Sequence, residues 1–127
     1  MATYHNPSTI AGPFGAYSQY SDVREARRVV HVAGQVGVRP DGSVPDDIDT
    51  QAMIAFANLR CAIEDAGMAI EDITRLGVFM LDRASIAAYR TARQAALGER
   101  KPPATLLIVS GLASPAWKIE IEAFLAR

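Results

Sequence analysis

The sequence predicts an α+β fold, a two-layer sandwich in which a mixed sheet of five or six strands carries two helices on one face. Three observations lead there. Extended, β-branched stretches occupy both ends of the chain and the space between two segments of helical spacing. Each of those helical segments lies between strands, so each passage implies a right-handed crossover with local parallel pairing. A length of 127 residues fits a single domain spanning 1–127.

Residues 6–15 carry two prolines and two glycines and read as an irregular opening segment. Tyr17 to Ser21 reads as a short strand, Asp22 to Arg27 as a polar turn, and Arg28 to Ala33 as a second strand, the two predicted to form a hairpin. Gly34 to Val38 continues extended into the Pro40-Asp41-Gly42-Ser43 turn. Acidic residues from Asp46 to Asp49 can cap a helix over Thr50 to Ala66, where Ala55, Leu59, Ala62, Ile63 and Ala66 form a core-facing stripe that Gly67 ends. Ile73 to Leu81 is a mostly buried strand. Ser85 can cap a second helix, Ile86 to Leu97, whose Ala88, Ala92, Ala95 and Ala96 face suits close packing on a sheet. After Lys101-Pro102-Pro103, Thr105 to Val109 is extended, and Trp117 to Phe124 alternates as a half-buried strand should. With both helices on one face, the other face of the sheet is too rich in Val, Leu and Ile to be left wet, which argues for self-association through it.

Composition narrows the function classes. Half the residues are hydrophobic and 21% charged, an ordinary globular balance. Thirteen basic residues against fourteen acidic ones give a net charge of −1, without the basic surplus of a nucleic-acid binder. The one local basic cluster, Arg24, Arg27 and Arg28, is diluted by Asp22 and Glu25. A single cysteine, Cys61, excludes an intrachain disulfide and a multi-cysteine zinc site, and His5 and His31 are too few and too scattered for a metal cluster. Cys61 is expected as a small buried or boundary residue of the first helix. No signal peptide and no membrane span are read, so the cytoplasm is the expected compartment.

An ordered set of short motifs then runs along the chain: Gly12-Pro13, Tyr17-Ser18-Gln19, Ala33-Gly34-Gln35, Gln51, Asn58-Leu59, Ala66-Gly67, Val78 to Asp82, Pro103-Ala104 and Ile119 to Ala123. Each is weak alone. Together, over residues 11–126, they resemble the YjgF/RidA family. The resemblance implies a chorismate-mutase-like fold and a homotrimer whose sheets form a central barrel with the helices outside and clefts between subunits. It also implies hydrolysis of reactive enamines and imines to a keto acid and ammonia, with no cofactor and no metal.

That chemistry needs a grip on the substrate, a positioned water and a route for protons to nitrogen. In the family's deaminases a Pro-Ala-Arg arginine holds the substrate carboxylate. Here the motif reads Pro103-Ala104-Thr105, and a threonine hydroxyl offers one neutral hydrogen bond in place of a bidentate clamp. The family's Ser-Gly-Gln is Ala33-Gly34-Gln35, its site cysteine is Leu107, and an asparagine of the second helix is replaced by Arg90. Tyr17 and Glu120 match: Tyr17 to cover the pocket or donate a hydrogen bond, Glu120 to orient or deprotonate the attacking water or relay a proton. Arg90, and less directly Arg39, can supply a carboxylate clamp from another wall. Glu120 is equally a residue of a solvated strand face, and Arg90 of an exposed helix face. Two functions follow. One is a hydrolase of imines, enamines or related labile intermediates with altered specificity. The alternative is a non-catalytic trimer that binds a small metabolite or a protein on the same scaffold. RNA cleavage, a label some relatives carry, is opposed by the near-neutral charge and the lack of a catalytic histidine pair.

Overall fold

The computed structural model describes all 127 residues. The strongest alternation in the chain, at its far end, makes the centre of the main sheet. In β6 (Ile119–Ala126), Ile119, Ile121, Ala123 and Leu125 are fully buried, while Glu120, Glu122, Phe124 and Ala126 are only partly covered. It is flanked on one side by β3 (Val29–Val36) and on the other by β4 (Ile73–Met80), antiparallel to both. The remaining strand, β5 (Ala104–Ile108), runs parallel to β4, giving the order β3-β6-β4-β5.

Both helices cover the face that holds Ile119, Ile121, Ala123 and Leu125. Helix α1 (Ile48–Asp65) contributes Phe56, Leu59 and Ile63 to the core, and α2 (Ile86–Leu97) contributes Tyr89, Ala92 and Leu97. They meet Ile73, Leu76, Val78 and Met80 of β4. Each fully buried aliphatic side chain there contributes roughly 1.5–3 kcal/mol. The ends of α1 are fixed by local chemistry. The Thr50 amide donates to the Asp47 carboxylate at 2.8 Å. At the other end Gly67 takes φ +68°, and the amides of Gly67 and Met68 donate back to Glu64 and Ile63 at 2.9 and 3.0 Å.

Several expectations are corrected. The main sheet has four strands. The predicted first hairpin does not form: β2 (Tyr20–Asp22) pairs with β1 (Thr3–His5), a segment too short to register as a strand, and makes a separate antiparallel ribbon. The extended stretch after Ala33 is no third strand but the end of β3, which passes a register shift between Val32 and Gln35. Adjacent parallel pairing holds for the passage through α2. The passage through α1 instead leaves β3 and β4 one strand apart, with β6 filling the gap. Ser85 occupies the cap position of α2 without a capping bond from its side chain; Asp82 accepts from its amide at 3.0 Å. Ala95 is exposed, and Tyr89, Arg93 and Leu97 take the buried face beside Ala88 and Ala92. Cys61 is exposed.

One buried polar side chain ties the loop before β6 to the first turn of α1. Gln51 is fully buried, and its amide nitrogen donates to the carbonyls of Pro45 and Ala116 at 2.8 and 3.0 Å. Its amide oxygen accepts from the Lys118 N–H at 2.9 Å. A Cβ on Gly37 would lie 2.6 Å from the Gln51 Cα, so the end of β3 rests directly on this turn. Gln51→Leu leaves two carbonyls and an amide without partners and is expected to cost about 2–4 kcal/mol. Gly37→Ala, which forces backbone apart, is expected to cost at least as much; urea denaturation of both variants checks this.

Candidate functional site

The face of the sheet away from the helices is open. Val29 on β3 is 65% exposed and Leu107 on β5 is 49% exposed, with Phe79 and Phe124 half-covered between them. Polar groups cross this apolar surface in a defined way. Arg75 of β4 lies over the Phe124 ring at 5.3 Å and forms an ion pair with Glu122 at 3.4 Å. His31 meets Phe124 edge-on at 4.8 Å.

The two glutamates of β6 lie flat on glycines. A Cβ on Gly77 would fall 2.5 Å from a Glu122 carboxylate oxygen, and one on Gly34 only 2.3 Å from a Glu120 carboxylate oxygen. Missing side chains thus make two troughs, one under each carboxylate. Glu122 is neutralised by Arg75; Glu120 has no ion-pair or hydrogen-bond partner within the chain. It sits in a recess of about 300 Å³ with Gly34, Phe79, Val109, Gly111, Leu112 and the Arg75-paired Glu122.

A second, deeper cleft of about 390 Å³ runs along the outer edge of β5, between α2 and the 14–17 loop. Tyr17, Arg90 and Thr105 all line it. The Tyr17 hydroxyl accepts the Phe14 amide at 3.2 Å, which folds the loop over the cleft. One Arg90 nitrogen lies 3.7 Å from where a Cβ on Gly15 would be, so the guanidinium reaches across the mouth. Tyr89 and Arg93 complete the wall from α2. Burial pushes the Tyr89 phenol up to about 12, against the pull of Arg93 and Arg90, and keeps it a neutral donor.

The chain therefore brings Tyr17, Arg90 and Thr105 together and holds Glu120 in a separate recess. Ala33 and Leu107 are exposed on the open face, Leu107 level with Phe79. Arg39 belongs to neither recess; its guanidinium bonds the Ser43 hydroxyl at 3.4 Å in the turn after β3. His5 stacks on Tyr20 in the small ribbon, on a different sheet from His31. No three His, Cys, Asp or Glu side chains gather as metal ligands would, and no helix is long and apolar enough to cross a membrane. Sequence reading missed Tyr89 and Arg93. The available signal was an arginine within the apolar stripe Ile86, Tyr89, Arg93, Leu97, where solvated charge does not belong.

Comparison with known proteins places this architecture. The Endoribonuclease L-PSP family model matches residues 10–126. The 2-iminobutanoate/2-iminopropanoate deaminase of Escherichia coli K12 is 30% identical over 131 residues, covering all of this chain and 96% of the relative. A RutC family protein of Pyrococcus abyssi is also 30% identical, over 87% of this chain and 86% of its own. Among solved structures, the Rid family protein YyfB of Yersinia pestis, described as of unknown function, superposes with a TM-score of 0.86 at 25% identity, covering 99% and 98% of the two chains. E. coli TdcF with bound serine superposes with a TM-score of 0.74 at 26% identity over 98% of each.

Two outcomes are expected from the site geometry. In Gly34→Ala the added methyl meets only a flexible side chain, so stability changes by no more than about 1 kcal/mol while the Glu120 carboxylate leaves its trough; urea denaturation and the Glu120 carboxyl 13C resonance read the two effects. Burial also pushes the Tyr4 phenol up to about 12. An unfolded tyrosine ionises near pH 10, so between about 10 and 12 the unfolded chain binds fewer protons than the folded one. Stability is then full below pH 10 and falls as pH rises above it. Urea midpoints from pH 9 to 11 are expected to fall, and to fall less in Tyr89→Phe.

Proposed function

Because the chain belongs to the YjgF/RidA family, we propose that it is a cofactor-independent hydrolase of reactive imines or enamines whose specificity has moved away from small 2-imino acids. The carrying observation is the Glu120 carboxylate, flat over Gly34 and free of any partner. A carboxylate held without a counter-charge is available to take a proton from water. In the proposed reaction that water adds to the C=N carbon while Glu120 receives its proton. Glu120 then returns the proton to nitrogen, giving a carbinolamine; the carboxylate next takes the carbinolamine hydroxyl proton and passes it to the amine as the C–N bond breaks, so that a carbonyl compound and ammonia leave. Tyr17 closes the cleft and offers its hydroxyl to the substrate.

In this reading the working unit is a cytoplasmic homotrimer. The open sheet faces turn inward, and the Glu120 recess of one copy completes the Tyr17–Arg90–Thr105 cleft of the next. The apolar surface of Val29, Phe79, Leu107 and Phe124 supports burial against further copies. So does the separation of Glu120 from the cleft in the single chain. That relatives bear deaminase names, and that TdcF holds an amino acid, supports a site for small amine-derived molecules. The shift in specificity rests on Thr105, which cannot clamp a carboxylate as an arginine does. The loss of the family's arginine, serine and cysteine at Thr105, Ala33 and Leu107 together favours a second reading, a trimer that binds a small metabolite or protein partner without turnover.

The test is a panel of imines, small and bulky, generated freshly from amino acids, with ammonia release followed against a protein-free blank. At least one bulky member is expected to be accelerated, and Glu120→Gln to lose about 10²–10⁴-fold of that rate. Rates equal to the blank throughout overturn the hydrolase and leave the binding module.

A further inference from the structure

Arg93 is an arginine out of place. It is only 4% exposed, stands in the apolar stripe of α2 and lines the cleft beside β5. It forms no ion pair. One terminal nitrogen donates to the Arg100 carbonyl at 3.0 Å, and the other reaches the Gln94 side-chain oxygen at a long 3.4 Å. Its Nε–H is enclosed and has no acceptor at all. A buried guanidinium with no anion beside it is costly. Arg90, one turn earlier, projects to the mouth of the same cleft, likewise without a carboxylate partner. No acidic residue lines the cleft, and α2 has none anywhere along its length. Tyr89 lines the same wall of the cleft. Apart from the Tyr17 and Thr105 hydroxyls the rest of the wall is apolar, with Phe14, Ile86 and Leu106 prominent.

We propose that this cleft takes a monocarboxylate bearing an apolar, ring-sized body, its carboxylate held by Arg93 from within and by Arg90 at the mouth. The proposal rests on reading the cleft as the substrate site and names the class of molecule it admits. The anion grip has moved from the β5 edge, where Thr105 stands, to the facing helix. A guanidinium gives a carboxylate two parallel, charge-assisted bonds, which suits a fixed carboxylate better than a diffuse charge. The apolar wall gives a larger body a place that a substrate of three or four carbons leaves empty. A cleft of about 390 Å³ falls in the range of small-molecule sites.

Binding can be read without any turnover. Calorimetric titrations use phenylpyruvate, pyruvate, and phenylacetone, which keeps the ring and ketone but lacks the carboxylate. Phenylpyruvate is expected to bind at least tenfold more tightly than either of the others. Arg93→Gln is expected to weaken it by tenfold or more, and Arg90→Gln by a few fold. Arg93→Lys restores only part of the loss, because an ammonium cannot make the paired bonds. If Arg93→Gln does not fold, Arg90→Gln and the phenylacetone comparison decide, since neither disturbs the buried residue. Equal affinity for phenylpyruvate and phenylacetone, or phenylpyruvate affinity unchanged by whichever arginine substitutions fold, overturns the proposal. The unsubstituted chain separates it from the hydrolase reading: inactivity on every imine together with phenylpyruvate binding through Arg93 refutes the catalysis and keeps the anion site.

Discussion

The fold depends on seating its last strand in the middle of the sheet. β3 and β4 are set parallel by the crossover through α1, but they stand one strand apart, and neither completes its hydrogen bonding until β6 enters between them. The core waits on the same event, because Ile119, Ile121, Ala123 and Leu125 form the sheet's share of the contact with both helices. Pairings this distant in sequence carry a loop-closure cost before they return any stabilisation. Gln51 limits that cost by fixing the approach, holding the backbone just ahead of β6 on α1 with two hydrogen bonds, to Ala116 and Lys118.

The same strand positions the candidate chemistry. A period of two places Glu120 and Glu122 on the open face as surely as it places their neighbours in the core. What distinguishes the two carboxylates is their surroundings. Glu122 lies beside Arg75, itself stacked on Phe124, and is a structural ion pair on an apolar surface. Glu120 has a glycine beneath it and forms no ion pair of its own. Charge is distributed in the opposite sense around the cleft by β5, where two guanidinium groups stand without an acid. In the proposed trimer, joining the two recesses across a subunit boundary would set a free carboxylate opposite an unpartnered cationic wall, the polarity that addition of water to an anionic imine requires.

Elements whose signal is periodic were legible in the sequence. The alternation of residues 117–124 and the spacing of Ala55, Leu59 and Ile63 located β6 and α1 to within a few residues. Partner choice was not legible, because it is a property of pairs distant along the chain. Adjacent strands at Tyr20 and Val29 suggested a hairpin, yet each found a partner elsewhere, β2 with residues near the start and β3 with residues near the end. For the site, the YjgF/RidA resemblance brought Tyr17, Thr105 and Glu120 to notice, and family membership is secured by the match over residues 10–126. Arg93 escaped because a helical stripe is read for its apolar members, and an arginine within it looks like a lapse in the pattern. Only the three-dimensional setting shows that its charge has nowhere to go.

The small ribbon of β1 and β2 has a consequence of its own. β5 begins opposite Leu76, so the first residues of β4 lack a strand neighbour on that side. The ribbon occupies the place: the Tyr4 hydroxyl donates to the Ile73 carbonyl and the Ser21 hydroxyl to the Thr74 carbonyl, both at 2.7 Å. Two side-chain hydroxyls thus satisfy backbone acceptors that another polypeptide would otherwise bond. An uncovered sheet edge is a template for indefinite growth. The ribbon leaves the sheet no free edge at that corner, which closes it to strand-by-strand growth there.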